Sequence, residues 1–215
     1  MTTPTVQPPA KLLFLPGASG NTAFWQPLAD SLTYPAPRTI LPYPGFGAAP
    51  ASPEVQGFDD LVRTVVAQID RPTALIAQSM GGVLALRAAL EKPDLVTHLV
   101  LAVTSGGINT KALGAQDWRA DFAAANPNFP DWLLTYDSDL SHELGRVAQP
   151  VLLLWGDADP ISPLAVGQRL LELLPDAELN IVSGGDHNLA CEHASVLAPL
   201  VDEHLARVDS RDYED

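Results

Sequence analysis

Ser79 stands in the pentapeptide Ala77-Gln78-Ser79-Met80-Gly81, where an apolar run from Thr73 to Gln78 gives way to a segment, Gly81 to Leu90, that is apolar nearly all round apart from Arg87. A serine at such a junction can serve as an ordinary helix N-cap. It can also be a nucleophile pushed out above a sheet on a sharp strand-to-helix turn, which requires small residues two before and two after it. Ala77 and Gly81 meet that requirement. A hydroxyl becomes nucleophilic when a base stands within hydrogen-bond reach and a third group orients that base. Of the five histidines, His98 falls inside an apolar run, His142 in an irregular stretch, and His193 and His204 in the last helical pattern. His187, in Gly184-Gly185-Asp186-His187 after the run Glu178 to Val182, is the favoured base, with His193 as its rival. Two carboxylates, Asp157 and Asp159, follow the run Val151 to Trp155, and both also suit a plain Gly/Asp/Pro turn. Acyl transfer develops negative charge on a carbonyl oxygen, which backbone N–H groups must meet. The amide of Met80 is one expected donor. The amide of Ala18, in the glycine-rich stretch Pro16-Gly17-Ala18-Ser19-Gly20, is the other, although those glycines would equally make a turn.

Bringing these residues together requires elements that all open toward one rim. Candidate strands are Lys11 to Leu15, Thr39 to Leu41, Thr73 to Gln78, Val96 to Val103, Val151 to Trp155 and Glu178 to Val182. Most are apolar almost throughout, as strands are when both faces of a sheet are covered. Between them, Phe58, Leu61, Val62, Val65 and Ile69 recur at helical spacing. Ser162-Pro163 reads as an N-cap and first helical residue of a helix to about Leu174, and a last helix is expected from about Leu189 to Val208. This alternation predicts an α/β protein with a mostly parallel twisted sheet of about six strands and helices on both faces. Ser79, the aspartates and His187 then all lie just past the carboxyl ends of strands, the edge where ligands bind in such sheets. Ser105 to Gln149 has no convincing strand and is expected to fold over the sheet edge as a short helical cap. The tail from Asp209 is expected to fray.

The chain has 215 residues, 47% of them hydrophobic and 18% charged, which fits one globular domain spanning 1–215 with the insertion at about 105–149. The formal net charge of −14 argues against nucleic acid and anionic membranes as partners. No apolar run approaches the roughly 20 residues that span a bilayer. The single cysteine, Cys191, leaves no intrachain disulfide, and the start of the chain lacks a secretory pattern, so a cytoplasmic location is expected.

Taken together, these segments resemble the α/β-hydrolase superfamily from Lys11 to about Leu205. Phe14-Leu15-Pro16-Gly17-Ala18-Ser19-Gly20 is similar to that family's oxyanion loop, with Pro16 where histidine is more usual. Pro44-Gly45-Phe46-Gly47 is similar to its turn after the second of these strands, and Ser79-Met80-Gly81-Gly82 is typical of it. The family's chain order is nucleophile, acid, histidine. Its G-x-x-D-x-x-x-P pattern, running here from Gly156 to Pro163, selects Asp159 over Asp157. Pro160 gives an independent reason, because it restricts the backbone of the residue before it. Within the superfamily the chain most resembles small carboxylesterases, including the pimeloyl-carrier-protein methyl esterase group.

The resemblance implies a serine hydrolase that cleaves an ester or thioester through an acyl-enzyme. In that reading Ser79, Asp159 and His187 are catalytic, and Ala18 and Met80 form the oxyanion hole. Trp25, Trp118, Phe122 and Trp132 are candidates to line an acyl pocket, although aromatics of this kind also serve simply as core. No metal or organic cofactor is implied. A small neutral ester is the expected partner of a monomer or small homo-oligomer. The insertion carries more acidic than basic residues, for a net charge of −3, and would not attract an acidic carrier protein. The alternatives are a lyase or carbon–carbon bond hydrolase on the same three residues, or a non-catalytic binding protein of the same fold.

Overall fold

A computed structural model describes residues 6–127 and 129–208, so the tail from Asp209 lies outside the described residues. Six strands form one sheet: β1 (Lys11–Leu15), β2 (Arg38–Ile40), β3 (Thr73–Gln78), β4 (Val96–Ala102), β5 (Val151–Gly156) and β6 (Ala177–Val182). Their order is β2-β1-β3-β4-β5-β6 and every pairing is parallel. Parallel neighbours need crossover connections, and the helices supply them. These are α1 (Gln26–Ser31), α2 (Phe58–Ala67), α3 (Met80–Glu91), α6 (Leu164–Leu173), α7 (Leu189–Glu192) and α8 (Ala194–Leu205). Among the described residues between β4 and β5 the elements are all short helices, including α4 (Arg119–Ala125) and α5 (Trp132–Thr135). From Ser105 to Gln149 the described residues carry no strand.

Every residue of β3, β4 and β5 is buried. That is why these segments read as unbroken apolar runs: α1 packs with α8, α2 packs with α3, and the sheet is covered on both faces. The chain reverses its direction of growth at β1, with β2 added on one side and β3 on the other. A crevice therefore opens past the carboxyl ends of β1 and β3, the general binding position of open parallel sheets.

Beyond one-residue differences at the ends of β2, β5 and β6, three boundaries differ from the sequence reading. Pro163, not Ser162, is the residue before α6, with extended ψ of 155°, because the Ser162 hydroxyl is engaged elsewhere. The last helix is broken at His193 (φ −110°, ψ 25°). Both halves pack on α1; the break lets α7 also lie against β5 and the turn holding Trp25, while α8 reaches β4. Finally, β4 stops at Ala102, because Val103 adopts φ 41°.

Candidate active site

Two loops flank the switch point. After β3 the backbone turns at Ser79 with φ 53° and ψ −122°, a conformation that costs a non-glycine residue about 1–3 kcal/mol. Hydrogen bonds on both sides hold it: Ser79 N–H donates to Ala102 O (3.1 Å), while Ser79 O accepts from Gly82 N–H (3.0 Å) and from Thr104 Oγ1 (2.6 Å). The turn drives α3 close to β1. A Cβ on Gly81 would lie 2.4 Å from Leu15 O and 2.6 Å from Pro16 O. Ala77 is the last residue but one of β3, paired with Leu15 and Leu101 and fully buried.

His187 and Asp159 meet at this turn. His187 Nε2 lies 3.0 Å from Ser79 Oγ, and His187 Nδ1 lies 2.7 Å from Asp159 Oδ2. The carboxylate can only accept, so Nδ1 carries the proton and Nε2 is left to accept from the serine. The Asp159 side chain is 0% exposed and that of His187 22%. The buried charge is answered a second time, since Asp159 Oδ1 accepts from Ile161 N–H (2.8 Å) and Ser162 N–H (3.1 Å). Pro160, between Asp159 and Ile161, has no N–H to offer.

His187 reaches Ser79 from far off. β6 stands three places from β3, a span of roughly 14 Å at about 4.8 Å per strand. The loop after β6 crosses the end of β5 backbone on backbone, so that a Cβ on Gly156 would lie 1.9 Å from Gly185 O. Ala158 N–H donates to Gly185 O (3.0 Å) and Gly184 N–H to Asp157 Oδ1 (2.6 Å). At the far end Gln78 Nε2 donates to His187 O (3.3 Å). Asp157 thus clasps the histidine loop from outside and has no hydrogen bond to the imidazole. His193 is half-buried between α7 and α8 and has no bond to Ser79.

Opposite the serine runs the loop after β1. Its carbonyls are fixed one by one: Leu15 O by Trp25 Nε1 (3.1 Å), Pro16 O by Tyr43 Oη (3.0 Å) and Gly17 O by Gly20 N–H (3.0 Å). Gly17 lies against the site, with a Cβ there 2.3 Å from Gln78 Oε1 and 3.2 Å from Ser79 Cβ. In a trans peptide the N–H points opposite to the C=O. Pinning Gly17 O therefore aims Ala18 N–H, and pinning Ser79 O aims Met80 N–H. Among the described residues neither amide has an acceptor in the protein.

The four aromatic candidates separate. Trp25 is fully buried against Phe14 and Phe24 and leaves no surface for a ligand. Trp132 joins the insertion to the body through Phe46 and Phe58. Trp118 and Phe122 continue to Phe129 as an edge-to-face row, all three half-buried. The segment between β4 and β5 touches the Asp159 turn through Gln116 N–H on Pro160 O (2.9 Å). Tyr43, Gln78 and Thr104 were not singled out in the sequence; only the three-dimensional approach of their loops gives them partners.

Among the described residues no group of three or more His, Cys, Asp or Glu side chains is placed to hold a metal ion, and no helix is long and apolar enough to cross a membrane. Residues 12–109 match the model of the alpha/beta hydrolase family, and 118–211 match that of a TAP-like protein family. The chain has the α/β-hydrolase fold. This α/β hydrolase is 25% identical over 236 aligned positions to a pimeloyl-[acyl-carrier protein] methyl ester esterase of Neisseria meningitidis, covering 88% of the chain and 91% of the relative. Its fold is similar to those of a bromoperoxidase from Bacillus anthracis (TM-score 0.75, 16% identity, 93% and 92% of the two chains) and an esterase from Exiguobacterium antarcticum (TM-score 0.74, 15% identity, 92% of both).

Proposed function

We propose that this α/β hydrolase cleaves carboxylic esters or thioesters of small molecules through an acyl-enzyme on Ser79. The observation that carries the proposal is the continuous run Ser79 Oγ–His187–Asp159, at 3.0 and 2.7 Å, facing two free amides across the switch point. Ser79 Oγ attacks the substrate carbonyl while its proton passes to His187 Nε2. Asp159 stabilises the imidazolium, and the Ala18 and Met80 amides take the charge that grows on the carbonyl oxygen. Collapse breaks the bond to the leaving alcohol or thiol, which receives the proton from Nε2. Water then attacks the acyl group, giving a proton to His187 that is returned to Ser79 as the acid departs. Every step uses side chains and amides of this chain, with no metal or cofactor.

The relative's name supports an ester of a carboxylic acid as substrate. The charge of −14 and the acidic insertion favour a small neutral ester over one carried by an acidic protein. The half-buried Trp118 and Phe122 are the apolar side chains nearest to serving a short or medium acyl chain, whereas Trp25 supports the loop of Ala18 from beneath.

Ser79→Ala is the direct test. The variant removes one half-buried hydroxyl, so it should fold, while turnover of an activated ester such as p-nitrophenyl acetate should fall on the order of 10⁶-fold. A fluorophosphonate should label the wild type on Ser79 and leave the variant unlabelled. Hydrolysis by pure Ser79→Ala at anything near the wild-type rate would falsify the proposal. A panel comparing free methyl esters with the same acids on a carrier protein would read the preference for small substrates.

A further inference from the structure

Just past β4 the chain holds a second unfavourable backbone conformation. Val103 has φ 41°, in a region where a β-branched residue is a true outlier. Strain of this kind points to a requirement elsewhere. What Val103 achieves is the placement of the next residue. Thr104 is fully buried beneath the Ser79 turn, and its Oγ1 donates to Ser79 O at 2.6 Å while accepting from Gly106 N–H at 3.1 Å. Gly82 makes room for it, since a Cβ there would lie 2.4 Å from Thr104 Oγ1. On its other side Thr104 O accepts from Ser162 Oγ (3.1 Å), and Ser162 N–H is one of the two amides on Asp159.

We propose that Thr104 is the positioning residue of the oxyanion site, holding the peptide between Ser79 and Met80 so that Met80 N–H faces the reacting carbonyl. The inference rests on the Ser79 reading above. Ser79 O and Met80 N–H belong to one rigid plane, so a bond on the oxygen fixes the direction of the hydrogen. A donor on the carbonyl also polarises the amide and strengthens its N–H as a donor in turn. Gly82 N–H binds the same oxygen, but it moves with α3, whereas Thr104 ties the plane to the end of β4.

The test uses the whole chain with Thr104→Val, Thr104→Ala and Thr104→Ser, an activated oxygen ester and its thionoester, in which sulfur replaces the carbonyl oxygen and bonds poorly to amides. Removing an oxyanion donor outright costs about 10²–10³ in kcat. Misaiming one should cost Thr104→Val and Thr104→Ala about 10–100-fold in kcat, with KM within about two-fold. Because only the oxyanion contact is weakened, the rate ratio of ester to thionoester should shrink in both. Thr104→Ser, which keeps the hydroxyl, should restore most of the rate and the ratio. If Thr104→Val does not fold, the smaller Thr104→Ala is read alone. Wild-type kcat in Thr104→Ala, or equal losses on ester and thionoester, would overturn the proposal. Failure of the Ser79 reading looks different: hydrolysis would then survive Ser79→Ala.

Discussion

Asp157 and Asp159 lie two residues apart on one turn, and their surroundings divide their work. Asp159 is sealed from water and accepts from His187 Nδ1–H and from two backbone amides. An asparagine there would keep its oxygen on Ile161 N–H and Ser162 N–H and turn its NH₂ toward the imidazole. Nδ1 would become an acceptor and the proton would move to Nε2, where it blocks the serine. Asp159→Asn should therefore lose about 10⁴ in kcat, by analogy with the same change in a serine protease, with little loss of melting temperature. Asp157 is exposed and, among the described residues, accepts only from Gly184 N–H, a bond that an asparagine oxygen can also accept. Asp157→Asn should keep kcat within several-fold of wild type, and any cost should appear as a lower melting temperature. Parallel kinetics and thermal melts of the two variants decide, and a crippled Asp157→Asn beside an active Asp159→Asn would reverse the assignment. The sequence favours Asp159 through its spacing and Pro160. It does not reveal that Asp157 clasps the histidine loop, because Gly184 is 27 residues further on.

At the scale of elements, hydrophobic pattern was a sufficient guide wherever burial decides the structure. β1 and β3 run as read, and β2, β5 and β6 differ by a residue at one or both ends. Pattern fails where a tertiary contact intervenes. Ser162 has the right type for an N-cap, yet its hydroxyl goes to Thr104 O, 58 residues away in sequence. His193 interrupts an apolar helical pattern where the two halves, both against α1, turn to different further neighbours, β5 and the Trp25 turn for α7 and β4 for α8. The strand–turn–helix around Ser79 was legible because its small residues are forced by geometry. That leads to a prediction at this scale. Gly81→Ala places a methyl against the carbonyls of Leu15 and Pro16, which cannot swing aside as a side chain can. α3 must shift from β1, costing about 1–3 kcal/mol as other overpacked sites do. Both Ser79 and the Gly17–Ala18 loop should be displaced. Melting and kcat should fall together, and an unchanged kcat in a destabilised Gly81→Ala would show that the turn tolerates the shift.

Over the whole molecule, the response to acid should be governed by two histidines outside the site. His98 on β4 and His204 on α8 are buried and meet edge to face at 5.3 Å. Each donates Nε2–H to a backbone carbonyl, of Arg207 and Leu99 respectively, and each Nδ1 is buried without a partner among the described residues. Burial, foremost, lowers His98 to about 4 and His204 to about 3; Arg207 disfavours a proton on both, and His98 disfavours one on His204. Asp176, paired with Arg207, works the other way on His98. The unfolded chain takes up these protons near pH 6.5, while the folded chain does so only near 4 and 3. Stability is thus full above about 6.5, declines by up to about 1.4 kcal/mol per pH unit for each histidine below it, and levels off past the folded values. His204→Gln should flatten the fall of melting temperature between pH 6.5 and 4. An equally steep fall in that variant would place the acid sensitivity elsewhere.

The crossing of Gly156 and Gly185 has a consequence for how this scaffold can be altered. Because the two turns meet with no side chain between them, and Asp157 and Ala158 bind the other turn's backbone, neither has a shape of its own to keep. A graft that brings in a foreign acid turn alone would meet a histidine turn cut to a different template. Recombination or laboratory shuffling with related hydrolases should succeed when residues 156–187 are inherited from one parent and fail when a breakpoint falls between them.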